Sequence, residues 1–133
     1  MENTWRIIKS PPANGAWNMA VDEAILLEIG AGRSLPTLRL YAWEPACLSL
    51  GYAQSSKDAN LKGLRDRGWT LVRRPTGGRA ILHIDELTYS VIAPPKDQRV
   101  TGSVLESYRR ISVALLAALQ NLGLHAQADP HTE

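Results

Sequence analysis

Two short strand-like runs, Trp69–Arg73 and Ala80–His83, flank Pro75-Thr76-Gly77-Gly78, and this break constrains the chain more than any other feature. Glycine reaches positive φ and carries no Cβ, so a ligand can press against bare backbone N–H groups there. Arg73, Arg74 and Arg79 bracket the bend. Their planar forks of donors suit carboxylate or phosphate oxygens, which makes the segment a candidate site for an anionic head group. The same residues equally suit a plain hairpin turn with solvated arginines.

Punctuation elsewhere divides the chain into short elements. Trp5–Ile8 reads as a first strand, ended by Ser10-Pro11-Pro12. Asn14 or Gly15 opens a helix through Ile29, closed by Gly30 or Gly32. Trp17, Ala20, Val21, Ala24 and Leu27 share one wide face of it, which predicts a mostly buried helix. Thr37–Tyr41 and Cys47–Leu50 read as strands, Asp58–Arg67 as a short helix before Gly68, and Glu86–Ile92 as a further strand. Ser103 and Glu106 form a capping-box pattern for a helix to Leu122, with Gly123 just past it. Leu124–Ala126 reads as a strand start, and Asp129–Glu133 as a loop. Strands in hairpin order with three helices predict an α+β fold, helices packed on a sheet.

Composition excludes several classes of function. At 133 residues, 44% hydrophobic and 21% charged, the chain supports one globular domain. A net charge of +2, with no aromatic interleaving among the arginines, argues against a nucleic-acid binder. The apolar run Ile111–Leu119 is too short to span a bilayer, and the N-terminus lacks a signal peptide's apolar centre, so a cytoplasmic protein is expected. Cys47, the sole cysteine, reads as a buried structural residue, and Trp17, Trp43 and Trp69 as core anchors. His83 and Asp85 have no third nearby ligand for a metal, and no Ser-His-Asp order is evident. His125 and His131 read as surface residues, and Arg109-Arg110 as a solvated face first and a docking site for an acidic carrier domain second.

The string Val72–His83, followed by Glu86-Leu87-Thr88-Tyr89-Ser90, closely resembles the signature of the lipoate–protein ligase A and octanoyltransferase family. Asn18–Ala24 resembles that family's first helix, and Trp43–Gly51 the strand segment after it. The Gly77-Gly78-Arg79 form is closer to octanoyltransferases acting on the glycine cleavage H protein than to ligases, which usually have three glycines. Ile84 separates His83 from Asp85, where the family often has the two side by side, and leaves Asp85 without an assigned role.

The resemblance implies a class II synthetase-like biotin/lipoate ligase catalytic domain, with a mixed or antiparallel sheet and packed helices, of which residues 1–133 are the N-terminal portion. It implies transfer of an octanoyl group from acyl carrier protein to a lysine of a lipoyl-carrier protein, either the glycine cleavage H protein or a 2-oxoacid dehydrogenase E2. An ATP- and Mg-dependent lipoate ligase and a non-catalytic acyl- or carrier-binding subunit are the alternatives. No bound cofactor is implied for the transferase. Arg73, Arg74, Thr76, Gly77, Gly78, Arg79, Ala80, Ile81, Leu82 and His83 match positions of the acyl or acyl-nucleotide site. About six buried methylenes at ~0.8 kcal/mol each would supply roughly 5 kcal/mol for the acyl tail, leaving carbonyl placement to head-group donors. The family's cysteine nucleophile and its lysine lie beyond Leu122, so no catalytic residue is expected within this chain. A fragment of this kind would expose a sheet edge and half a tunnel, which predicts aggregation or pairing with a second chain.

Overall fold

The computed structural model describes residues 4–128; the expected terminal loop and His131 lie outside them. The chain divides into two compact units between Ile92 and Ala93. Among the described residues, no helix is long and apolar enough to cross a membrane.

The first unit runs β1 (Arg6–Lys9), α1 (Gly15–Gly30), β2 (Thr37–Tyr41), β3 (Cys47–Leu50), a 3-10 turn (Ser56–Asp58), α2 (Leu61–Asp66), β4 (Thr70–Arg73), β5 (Ile81–His83) and β6 (Thr88–Ile92). These strands make two three-stranded sheets, ordered β1-β2-β6 and β4-β3-β5. β1 pairs parallel with β2, and β3 parallel with β4. β6 and β5 add antiparallel partners to β2 and β3. The fold is the expected mixed α+β, but the strands are not consecutive hairpins. Each parallel pair is joined by a helical crossover, because parallel neighbours cannot be linked by a tight turn. The hairpin reading of Pro75–Gly78 fails for a related reason: β3 lies between β4 and β5.

Local signals set the boundaries of α1. The Asn14 side chain accepts the Trp17 amide at 2.8 Å, and Gly32 takes φ +71 just beyond the C-terminus. The buried residues of the helix are Gly15, Asn18, Ile25 and Ile29, whereas Trp17 and Leu27 are 62% and 64% exposed. Most of the expected apolar face is therefore turned outward, with Val21 alone of it packed against the core, and Trp17 is not a core anchor. The cause is Arg39 on β2, which is fully buried. A buried guanidinium requires acceptors on every side. Its Nη1 donates to Asp22 Oδ1 at 2.8 Å and to the Asn18 carbonyl at 3.1 Å, its Nη2 to Asn18 Oδ1 at 2.8 Å, and its Nε to Ser10 Oγ at 3.0 Å. Tyr41 and Ser90 hydroxyls donate to the same Asp22 carboxylate. Asn18 and Asp22 of α1 thus face the sheet, with Ile25 and Ile29 packed beside them against Ile92.

A second cluster joins Tyr41, Trp43 and Cys47, with Met19 and Val72 against it. Trp43 is a core anchor; Trp69 is half-buried. The helix expected over 58–67 is split by Ala59 and Asn60, because the Asn60 side chain accepts the Gly63 amide and starts α2 afresh. β6 begins at Thr88 rather than Glu86.

The second unit holds α3 (Val104–Asn121). Both bonds of the expected capping box are present: Ser103 Oγ accepts the Glu106 amide, and Glu106 Oε2 accepts the Ser103 amide at 2.7 Å. Gly123 takes φ +80 past its end. Residues 124–128 form no strand, contrary to the expectation for Leu124–Ala126.

Candidate functional site

The segment from Arg74 to Ala80 crosses the end of β3 to join the two outer strands of its sheet. It begins as a continuation of β4, with the Arg74 amide donating to the Leu50 carbonyl at 3.0 Å. Gly51 sits beneath it so closely that a Cβ there would lie 1.9 Å from the Gly78 carbonyl oxygen. The Tyr52 amide donates to the Thr76 carbonyl at 2.9 Å. Gly78 takes φ +90, whereas Gly77 keeps an ordinary φ and has open space around it. Only the second glycine of the pair is conformationally required.

The three arginines are used differently. Arg73 Nη1 donates to the carbonyls of Gly51, Tyr52 and Gln54, which fastens the loop after β3. Arg74 Nη1 donates to the Ser49 carbonyl at 3.1 Å and to Ser49 Oγ at 3.0 Å. Its Nη2 donates to the carbonyls of Gly77 and Arg79, both at 2.7 Å. Arg79 is exposed. In a trans peptide the N–H points opposite to the C=O. The N–H groups of Gly78 and Ala80 are therefore turned away from Arg74. Ile81 and Leu82, 47% and 41% exposed, follow directly on β5.

His83, the last residue of β5, is buried. Its Nε2 lies 2.8 Å from Ser49 Oγ and its Nδ1 2.6 Å from Glu86 Oε1. The Trp43 ring stacks on the imidazole, 4.0 Å between centroids and 9° between planes. The Trp43 indole N–H donates to Thr88 Oγ1 at 2.7 Å, and that hydroxyl donates to Glu86 Oε1 at 2.6 Å. Burial pushes the Glu86 carboxyl up, but the hydrogen bonds from Thr88 and His83 outweigh it and hold the group below its usual range. The carboxylate serving His83 is thus Glu86, not the exposed Asp85.

Hydroxyl, imidazole and carboxylate stand in the order of a nucleophilic triad, a constellation the sequence reading missed. Ser49 nevertheless has no exposed surface, so its hydroxyl is not presented to a substrate. Cys47 is fully buried, and burial raises its pKa, which suppresses the thiolate. Its Sγ packs where a Cβ on Gly15 would stand, 2.5 Å away, as expected of a structural cysteine. His125, Arg109 and Arg110 are exposed and lie in the other unit. Among the described residues, no group of three potential ligands that could hold a metal ion occurs.

A polypeptide of this architecture, with a glycine arch braced by Arg74 at a sheet end, has clear relatives. Residues 14–133 match the lipoyl protein ligase A/B catalytic domain, and the chain belongs to that family. It is 48% identical over 124 residues to octanoyltransferase LipM of Kyrpidia tusciae, covering 92% of this chain and 45% of that protein. It is 45% identical to octanoyltransferase LipM of Bacillus subtilis, covering 99% and 48% respectively. The chain thus spans about half the length of these curated relatives. Its fold is similar to a crystal structure of lipoate-protein ligase A bound with ATP, with a TM-score of 0.81 at 28% identity, covering all of this chain and 52% of that one. It is also similar to a bi-partite lipoate protein ligase from Thermoplasma acidophilum, with a TM-score of 0.79 at 27% identity over 94% of this chain and 48% of that one.

Proposed function

We propose that this chain is the acyl-recognising portion of an octanoyltransferase, which passes an octanoyl group from acyl carrier protein to a lysine of a lipoyl-carrier protein in the cytoplasm. The observation that carries the reading is the arch. Arg74 turns the Gly77 and Arg79 carbonyls inward, so the Gly78 and Ala80 amides are offered to an acyl head group, with the exposed Arg79 and apolar Ile81 and Leu82 adjacent in the chain. Fixed donors of this kind stabilise the oxygen on which charge develops during acyl transfer. Arg73 and His83 support that site through the loop after β3 and through Ser49, and the exposed Thr76 and Gly77 belong to the arch itself. The family match runs through the division at Ile92, which supports assigning residues 1–133 to one catalytic domain.

The sole cysteine, Cys47, is too deeply buried to take up the acyl group, so the nucleophile of the reaction is not among these residues. A full-length form, incubated with octanoyl-acyl carrier protein and a lipoyl-carrier acceptor, is expected to acylate the acceptor without ATP. Strict ATP dependence would instead establish a lipoate ligase, the second reading, which the fold's likeness to an ATP-bound ligase favours. The 133-residue chain alone is expected to be inactive; acylation by it would overturn the placement of the nucleophile elsewhere.

A further inference from the structure

We propose that Glu86 and Ser49 are positioning residues that act through His83 and Arg74 on the backbone of Gly77–Ala80. The proposal deepens the acyl-site reading and rests on it for the identity of the ligand, not for the network itself.

The direction of every hydrogen bond in the network follows from donor chemistry. An ionised carboxylate only accepts, so the 2.6 Å contact to Glu86 Oε1 places a proton on His83 Nδ1. In the neutral ring Nε2 then carries a lone pair, and the Ser49 hydroxyl, 2.8 Å away, donates to it. With its proton so committed, Ser49 Oγ turns its lone pairs toward Arg74 Nη1 at 3.0 Å. That holds the guanidinium where Nη2 reaches the Gly77 and Arg79 carbonyls together. Trp43 fixes the ring from its face, and Thr88 fixes the carboxylate from its edge.

Removal of the Glu86 acceptor reverses the relay. The proton moves to Nε2, Ser49 receives two donors at once, and its own proton loses its acceptor. The Ser49 carbonyl still holds Arg74 Nη1 at 3.1 Å, so the guanidinium shifts rather than leaves, and the arch carbonyls that it clamps shift with it. Ser49 lies downstream of His83 in this order, so the two positions give different signatures.

Nitrogen NMR of a full-length form separates them. The wild type is expected to show His83 as a single tautomer protonated on Nδ1. Glu86→Leu is expected to move the ring to the Nε2-protonated form and to shift the amides of Gly77, Gly78 and Arg79. Glu86→Gln, which keeps an acceptor oxygen, restores both. Ser49→Ala is expected to shift the same amides and leave the tautomer unchanged. Octanoate serves as the ligand probe, with affinity expected to fall about tenfold in Glu86→Leu and to recover in Glu86→Gln. An Nε2-protonated ring in the wild type overturns the proposal, as do unmoved arch amides in Glu86→Leu. Should that variant not fold, Ser49→Ala decides: arch amides shifted with the tautomer retained support the order, and any other result refutes it. Failure of the wild type to bind octanoate would count against the acyl-site reading, while the tautomer and amide shifts would still judge the network.

Discussion

Alanine at position 51 would place a methyl carbon 1.9 Å from the Gly78 carbonyl oxygen and 2.9 Å from its carbon. Ordinary contact begins near 3.4 Å, so the arch must retreat by 3.4 less 1.9, about 1.5 Å. It has no such slack. Arg74 Nη2 holds two of its carbonyls at 2.7 Å, and the Tyr52 amide holds a third at 2.9 Å. A retreat of that size takes these bonds past hydrogen-bonding distance. Overpacking of this kind costs about 1–3 kcal/mol. A misplacement of ~1 Å at a reacting centre costs on the order of 10²-fold in rate. Gly51→Ala is therefore expected to lower the urea midpoint of the chain and to cut acyl transfer by a full-length form about 100-fold. Gly77→Ala is the control, since its Cβ meets nothing within 4 Å and its φ is ordinary. It is expected to be neutral or to stabilise by about 0.4–1 kcal/mol through the unfolded chain. If the two variants melt alike, or Gly51→Ala leaves the Gly78 amide resonance unmoved, the account of the arch is wrong.

Other expectations follow from the buried polar groups. Arg39→Met leaves the Asp22 carboxylate without its cationic partner, and Asn18 without its donor, and is expected to cost about 3–5 kcal/mol in denaturant unfolding, with Arg39→Met/Asp22→Leu less damaging than the single change. For Glu86, whose folded pKa is lowered from 4.5, the unfolded state binds more protons between the two values. Its contribution is therefore present above pH 4.5 and lost as pH falls through the folded value; the stability gap between wild type and Glu86→Leu should close in that acidic window. Cys47 should resist thiol labelling in the folded chain at mildly alkaline pH and react on unfolding, and rapid native labelling would contradict its burial.

What the sequence displayed depended on how local the cause was. The ends of α1 and α3 were legible because Asn14, Gly32, Ser103 and Glu106 act within a turn of the helices that they bound. The inward face of α1 was not, because it is decided by Arg39, 17 residues beyond Asp22 on another element. Periodicity favoured Trp17 and Leu27, and the acceptors that a buried guanidinium requires outweighed them. Alternation identified most strands but not their partners, so β3 between β4 and β5 went unforeseen. At the site, the arch was visible as Gly77-Gly78 among arginines. The service of Arg73 and Arg74 to backbone carbonyls was not, since those acceptors belong to Ser49, Gly51, Tyr52 and Gln54 as well as to the arch. Ser49 escaped notice because it meets His83 across 34 residues.

The insertion of β3 between its neighbours carries an evolutionary consequence. β4 and β5 stand two strand spacings apart, roughly 10 Å, and run in opposite directions. A two-residue hairpin turn would exhaust its reach on that gap and have nothing left for the reversal. The arch peptide is thus also the tether keeping β5 on its sheet. Drift at this spot can exchange side chains such as that of Arg79 but cannot readily prune the backbone, so changes in substrate choice would arise by replacement rather than by deletion.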